Sequence, residues 1–226
     1  MNQKKKVDVS RLTVMAMLTA LAYASVYFSA MIFPVKISGI LSLEPKDCIM
    51  TIGAFLYGPA AGAIISVVVS LLEFVTISTT GWIGLLMNVL SSVMFVCPAA
   101  WFYKRRHTLA GALVGLVTGT LLMTAGMLLW NYLITPLYME VERSMVVAML
   151  LPIFLPFNLL KGGINAALTM VLYKAVARVL RKSHLLPPSG TQSQPINRWK
   201  SVGVWVTALI VAVTLIVTGL VWAGIL

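Results

Sequence analysis

The residues of this chain best suited to bind a small molecule are an amide and an amine, Asn158 and Lys161, inside an apolar stretch from about residue 145 to residue 179. At a spacing of three residues the two side chains fall on one face of a helix, and Asn165 continues that face. An ionisable group within a membrane span is costly and rarely faces lipid, so it indicates a polar site. The alternative is that Lys161 extends its ammonium to the membrane surface and Asn158 only joins two helices. Asn131, at the end of another apolar stretch, favours the pocket.

These polar groups predict a particular kind of ligand. An amide offers a donor and an acceptor together, whereas an ammonium offers donors only. Such a set suits an uncharged, flat molecule with acceptors and donors along one edge, and nearby aromatic side chains can cover its faces. The candidate binding residues are Asn131, Asn158, Lys161 and Asn88, with Trp130, Tyr132 and Phe157 as walls.

Motifs for catalysis or nucleotide binding are absent from the sequence. It contains no G-x-x-x-x-G-K-[ST], G-x-G-x-x-G or H-E-x-x-H pattern. The acidic residues fall in the N-terminus, in outer loops or, for Glu73, near a helix end, so we expect no carboxylate pair within the membrane. Both histidines, His107 and His184, lie beside basic clusters on the inner side. The sequence therefore predicts no enzyme, no metal site and no cofactor.

Composition places the chain in a lipid bilayer. Of its 226 residues 60% are hydrophobic and 10% charged, with a mean hydropathy of +0.96. A soluble domain is far less apolar, so this is an all-α integral membrane protein with several spans. The net charge of +11 does not indicate nucleic acid, because the basic residues cluster between spans. Cys48 and Cys97 read as small buried hydrophobic residues.

Apolar stretches predict six helices in one bundle and an additional C-terminal transmembrane helix. They cover residues 12–33, 47–57, 60–77, 82–103, 109–133, 145–179 and 201–226. The second and third are separated at Gly58-Pro59, because glycine and proline interrupt the apolar run there. With this topology thirteen of the seventeen Lys and Arg residues lie inside. The N-terminus is then cytoplasmic and the C-terminus outside.

The same reading divides the chain into four parts. Residues 1–11 form a cytoplasmic N-terminus, 12–182 the membrane domain, 183–200 a cytoplasmic linker rich in Pro, Ser and Gln, and 201–226 the extra helix. Residues 34–47 form a polar loop, including Lys46 and Asp47, that is long for a connector and could cover a site. Another loop is expected from Ile134 to Arg143.

Small residues repeat every four positions along the first span, at Ala16, Ala20 and Ala24. Such a stripe lets a second helix approach closely, although ordinary internal packing gives the same spacing. We therefore consider Ala16 and Ala20 candidate partner-binding residues.

Four stretches together resemble a known family. They are LSLEPKD at Leu41–Asp47 leading into GAFLYGPAAG at Gly53–Gly62, NYLITPLY at Asn131–Tyr138, PFNLLKG at Pro156–Gly162, and the alanine pair Ala16-x-x-x-Ala20. Over about residues 10–182 the chain resembles the substrate-binding membrane subunit of energy-coupling factor (ECF) vitamin transporters, specifically the riboflavin type.

The resemblance implies a six-helix bundle with a vitamin site near the outer face, where residues matching Asn131, Asn158 and Lys161 contact the flavin ring. It also implies a contribution from the backbone near Leu41. Ala16 and Ala20 would meet a transmembrane coupling subunit, which is driven by two cytoplasmic ATPase subunits. Riboflavin is then a transported ligand and not a cofactor.

Two departures from the family pattern stand out. Val69-Ser70 replaces a polar Lys-Asn pair often seen in the third helix, and the seventh span has no counterpart. The alternatives are the same architecture for another vitamin or a nucleobase-like compound, and a membrane scaffold that transports nothing. An enzyme acting on lipids is disfavoured because no suitable carboxylate or histidine group is present.

Overall fold

A computed structural model describes residues 9–32, 44–183 and 185, and this part of the chain is entirely helical, without strands. Seven α-helices follow one another, with a π-helical turn before the last. They are α1 (Val9–Ile32), α2 (Lys46–Tyr57), α3 (Pro59–Thr76), α4 (Gly81–Arg105), α5 (Leu109–Met139), α6 (Arg143–Met149), the π turn (Leu150–Phe154) and α7 (Leu155–Lys182). The prediction of an all-α protein is confirmed.

Five helical segments in the described part are long and apolar enough to cross a membrane. They are α1, α3, α4, α5 and the continuous run of α6, the π turn and α7. Helix α2 has only 12 residues, whereas a span needs about 20. The predicted seventh span at 201–226, the linker before it and Leu41 lie outside the described residues.

The predicted break between the second and third helices is present. Gly58 has φ 93°, a conformation that side-chain-bearing residues rarely adopt, and Pro59 follows as the first residue of α3. The Gly58 N–H bonds to the carbonyl of Ala54, which closes α2. This turn folds α2 back against α3, so the N-terminus of α2 comes to lie near the C-terminus of α3.

Two predicted loops include residues that the structure places in helices. Helix α2 begins at Lys46, so Lys46 and Asp47 belong to its first turn, and both are buried. Helix α5 continues past Pro136 to Met139, and only residues 140–142 connect it to α6. Pro136 has no N–H to donate to the preceding turn, and α5 ends three residues later, followed by Glu140 in the left-handed conformation.

Close packing of α4 against α5 depends on glycines one turn apart on α5. A Cβ at Gly115 would lie 2.6 Å from the carbonyl oxygen of Ala99, and one at Gly119 would collide with the carbonyl of Phe95. The two backbones are therefore nearly in contact, as in many membrane helix pairs. Phe95 and Leu116 are fully buried beside this contact.

Candidate functional site

A buried ionic cluster lies where α2 begins. The Nζ of Lys46 is 2.7 and 2.6 Å from the two carboxylate oxygens of Glu73 on α3, and 2.8 Å from the Oε2 of Glu44. The Lys46 side chain is wholly inaccessible. Burial alone raises the pKa of Glu44, which precedes α2, but the charges of Lys46 and Lys161 outweigh this and hold that pKa below its usual value.

Asp47 joins this cluster to α4 and α7. Its Oδ1 accepts a hydrogen bond of 2.6 Å from the hydroxyl of Ser92, and its Oδ2 lies 3.8 Å from the Nζ of Lys161. That oxygen is buried and has no hydrogen-bond partner among the described residues. Lys161 is therefore paired by charge but not by a hydrogen bond to Asp47.

Asn88 on α4 belongs to the same cluster. Its Nδ2 donates to the Oε2 of Glu73 over 2.9 Å. The predicted binding residue is thus engaged by a carboxylate, and its amide helps to satisfy Glu73 in an otherwise apolar bundle.

Asn165 connects α7 to the start of α2. Its Oδ1 accepts a 2.8 Å bond from the backbone N–H of Cys48, and its Nδ2 donates to the carbonyls of Glu44 and Lys161, each at 3.0 Å. The side chain is fully buried. One amide therefore holds three backbone groups, which fixes the position of Lys161 relative to the ionic cluster.

A cleft opens between the N-terminal end of α4, the C-terminal end of α5 and the π turn. It contains about 430 Å³ of empty space, part of it open to the surroundings. Asn131 lies on its wall, and the other lining residues are Thr80, Ile83, Gly84, Met87, Trp130, Thr135, Tyr138, Met139 and Phe154.

The two other predicted amides bond within their own helices. Asn131 Nδ2 donates to the carbonyl of Met127, and Asn158 Nδ2 donates to the carbonyl of Phe154, each at 2.7 Å. Asn131 Oδ1 accepts from the hydroxyl of Thr135. Both amides are buried. These local bonds do not fix either amide to another helix.

The structure thus divides the predicted site into two neighbouring groups. Asn131 lines the cleft, and Asn158 bonds to Phe154 in its wall, whereas Asn88 and Lys161 belong to the ionic cluster. Helices α4 and α7 each run from the cleft to the cluster. Leu41 lies outside the described residues.

Sequence reasoning missed the central role of Lys46, Asp47 and Glu73. It placed the first two in a loop and expected no carboxylate pair within the membrane. A signal was available, because Glu73 stands in an apolar run and an ionisable residue there needs a partner. Lys46 precedes Glu73 by one helical hairpin and is a cation that could pair with it. Among the described residues no group of three His, Cys, Asp or Glu side chains could hold a metal ion.

Helix α1 presents the predicted alanine stripe on its outer side. Ala16 and Ala20 are exposed, while Val14, Leu18 and Ala22 on the other face are buried. Internal packing therefore does not explain these two alanines within the described part of the chain.

The fold and the site define a helical membrane protein with buried polar side chains between its helices, and comparison with known proteins gives its family. The family model for the ECF transporter, substrate-specific component, matches residues 10–173, so the chain belongs to that family.

Relatives within the family are named riboflavin transporters. The chain is 27% identical to riboflavin transporter RibU of Staphylococcus aureus (strain TCH60), covering 80% of this chain and all of that protein. It is also 27% identical to riboflavin transporter FmnP of Bacillus subtilis (strain 168), over 68% of this chain and 85% of the other. A solved structure described as the S component of a bacterial ECF transporter is similar with a TM-score of 0.63 and 28% identity, over 76% of this chain and 97% of that one.

Proposed function

We propose that this protein is the riboflavin-binding subunit of an ECF transporter. It captures riboflavin from outside the cell and passes it to a separate coupling module, a transmembrane subunit with two ATPases, for uptake into the cytoplasm. Relatives named as riboflavin transporters support the ligand, and family membership supports the class of transporter.

The observation that carries the proposal is the buried set of Asn131, Asn158 and Lys161, of which Asn131 lies on the wall of the cleft. The flavin ring is flat and uncharged, and one edge alternates carbonyl acceptors with an N–H donor. Two amides and one ammonium can match such an edge, since amides supply both kinds of group and the ammonium supplies donors. Trp130 and Tyr138 on the cleft wall offer aromatic contact to a ring.

Orientation and assembly follow from the charges and from α1. The basic residues Lys104, Arg105 and Arg106 are exposed at the end of α4 far from the cleft, and the positive-inside rule assigns that end to the cytoplasm. The cleft then faces outward and the N-terminus is cytoplasmic. Exposed Ala16 and Ala20 provide the surface for the coupling subunit.

Purification of the full-length protein in detergent tests the ligand directly. We expect the purified protein to carry bound flavin, which absorbs blue light. If it is purified without ligand, we expect riboflavin fluorescence to be quenched when riboflavin is titrated into the protein. A protein that carries no flavin and does not quench riboflavin fluorescence would refute the riboflavin assignment. Thermal unfolding in the presence of other vitamins and nucleobases then tests the alternative ligands. A compound that raises Tm is a candidate ligand, whereas an unchanged Tm with every compound indicates a scaffold.

A further inference from the structure

The pairing of Asp47 with Lys161 has a feature that a purely structural ion pair lacks. Asp47 is 1% exposed and Lys161 6%, yet their charged atoms are 3.8 Å apart and form no hydrogen bond with each other. A buried ion pair normally compensates for its lost hydration with close hydrogen bonds. Lys46 and Glu73 do so in the same cluster, at 2.6 Å. The Lys161 ammonium is therefore held near a countercharge while its donors remain available.

From this geometry we propose that Asp47 is a positioning residue for ligand binding, which acts through Lys161. The inference rests on the proposed function. Asp47 keeps the ammonium charged and directed into the bundle, and the ligand then receives the hydrogen bond that Asp47 does not take.

Three contacts hold Asp47 in place for this role. Its backbone lies in the first turn of α2, next to Cys48, whose N–H is bound by Asn165 of α7. Its Oδ1 is fixed by the hydroxyl of Ser92 on α4. Its Oδ2 has no hydrogen-bond partner among the residues that the structure describes, and this is the oxygen that faces Lys161. The carboxylate is thus oriented by three helices before any ligand arrives.

The charge balance of the cluster defines the class of ligand that Lys161 serves. Two ammonium groups, on Lys46 and Lys161, face three carboxylates, on Glu44, Asp47 and Glu73. Among the described residues of the cluster, no positive charge is left over for an anionic group. Lys161 therefore donates to a neutral acceptor, such as a ring carbonyl, and not to a phosphate or carboxylate.

Riboflavin affinity of full-length single and double variants, measured by fluorescence quenching, tests the proposal. We expect Asp47→Asn to weaken binding roughly tenfold and Lys161→Met to weaken it at least as much. Because Asp47 acts through Lys161, adding Asp47→Asn to Lys161→Met should change affinity less than about twofold. Losses that multiply in the double variant, or unchanged affinity in Asp47→Asn, would overturn the proposal. Glu142→Gln, at an exposed carboxylate, is the matched control and should leave affinity unchanged.

Thermal unfolding of the ligand-free variants keeps the test separate from the identity of the ligand. Asp47→Asn leaves a buried ammonium without its countercharge and should lower Tm, and the added Lys161→Met should recover much of that loss. Absence of recovery overturns the proposal even where riboflavin binds. If the wild type does not bind riboflavin, the proposed function is wrong. The Tm values of the single and double variants still show whether Asp47 acts through Lys161.

A milder variant guards against misfolding of Asp47→Asn. Ser92→Ala keeps both charges and removes only the bond that orients Asp47. We expect it to weaken binding about threefold in the wild-type background and to have no effect in the Lys161→Met background. A threefold loss in both backgrounds would contradict a role through Lys161.

Discussion

Lys46 and Glu73 form a bidentate ion pair at 2.6–2.7 Å, although they are 27 residues apart and lie on different helices. The pair joins the first turn of α2 to the last turns of α3, across the hairpin at Gly58-Pro59. It is the centre to which Asn88 and Glu44 also bond.

Removing one partner of this pair should destabilise the protein strongly. We expect Lys46→Met to lower the free energy of unfolding by about 3–5 kcal/mol, because Glu73 and Glu44 are left buried without their cation. Replacing both partners, as in Lys46→Met with Glu73→Gln, should cost less than Lys46→Met alone. Unfolding in a denaturing detergent measures both. Lys104→Met, at an exposed lysine, should change little, and a Lys46→Met protein as stable as this control would contradict the assignment.

The binding amides and the ammonium can be tested one at a time. Asn158→Ala and Lys161→Ala should each weaken riboflavin binding by about 1–3 kcal/mol, since ligand polar groups would be buried without partners. Fluorescence titration gives the dissociation constants, and Lys104→Ala serves as the control. Equal affinities in both variants and the wild type would remove these residues from the site.

The helices and the polar stripe on α7 could be predicted from the sequence, whereas the ionic cluster could not. Periodicity and charge gave the helices closely, and the Gly58-Pro59 break followed from backbone chemistry alone. The stripe of Asn158, Lys161 and Asn165 was visible because their spacing suits one helix face. The ionic cluster was not predicted. Glu73 in its apolar run indicates that some partner is needed, but the turn of α2 that meets it is a long-range contact that no local pattern specifies.

Glycines at the interface of α4 and α5 should tolerate no side chain. Gly115→Ala would place a methyl group against the Ala99 carbonyl, and we expect a loss of about 1–3 kcal/mol in the free energy of unfolding as the helices separate. Thermal unfolding measures it. The control is Ala125→Leu, at an exposed position of the same helix, which should be nearly neutral. Gly115→Ala with wild-type stability would show that the two backbones are farther apart.

Bulky residues on the exposed face of α1 should block coupling without affecting the site. We expect Ala16→Leu with Ala20→Leu to bind riboflavin normally but to lose most uptake in cells that contain the coupling subunit and ATPases, because close helix approach is prevented. Co-purification of the coupling subunit should fall in parallel. Uptake should persist in Ala125→Leu, and full uptake in the double α1 variant would argue that the partner docks elsewhere.

The π turn between α6 and α7 has a consequence for all of the polar residues that follow it. At its end the Leu155 N–H bonds to the carbonyl of Leu150, five residues back instead of four. One extra residue turns the downstream helix by about 100° relative to an unbroken α-helix. With α6 held in place, deleting a single residue there would turn Asn158, Lys161 and Asn165 by about 100° from their present directions, while the helix itself continues.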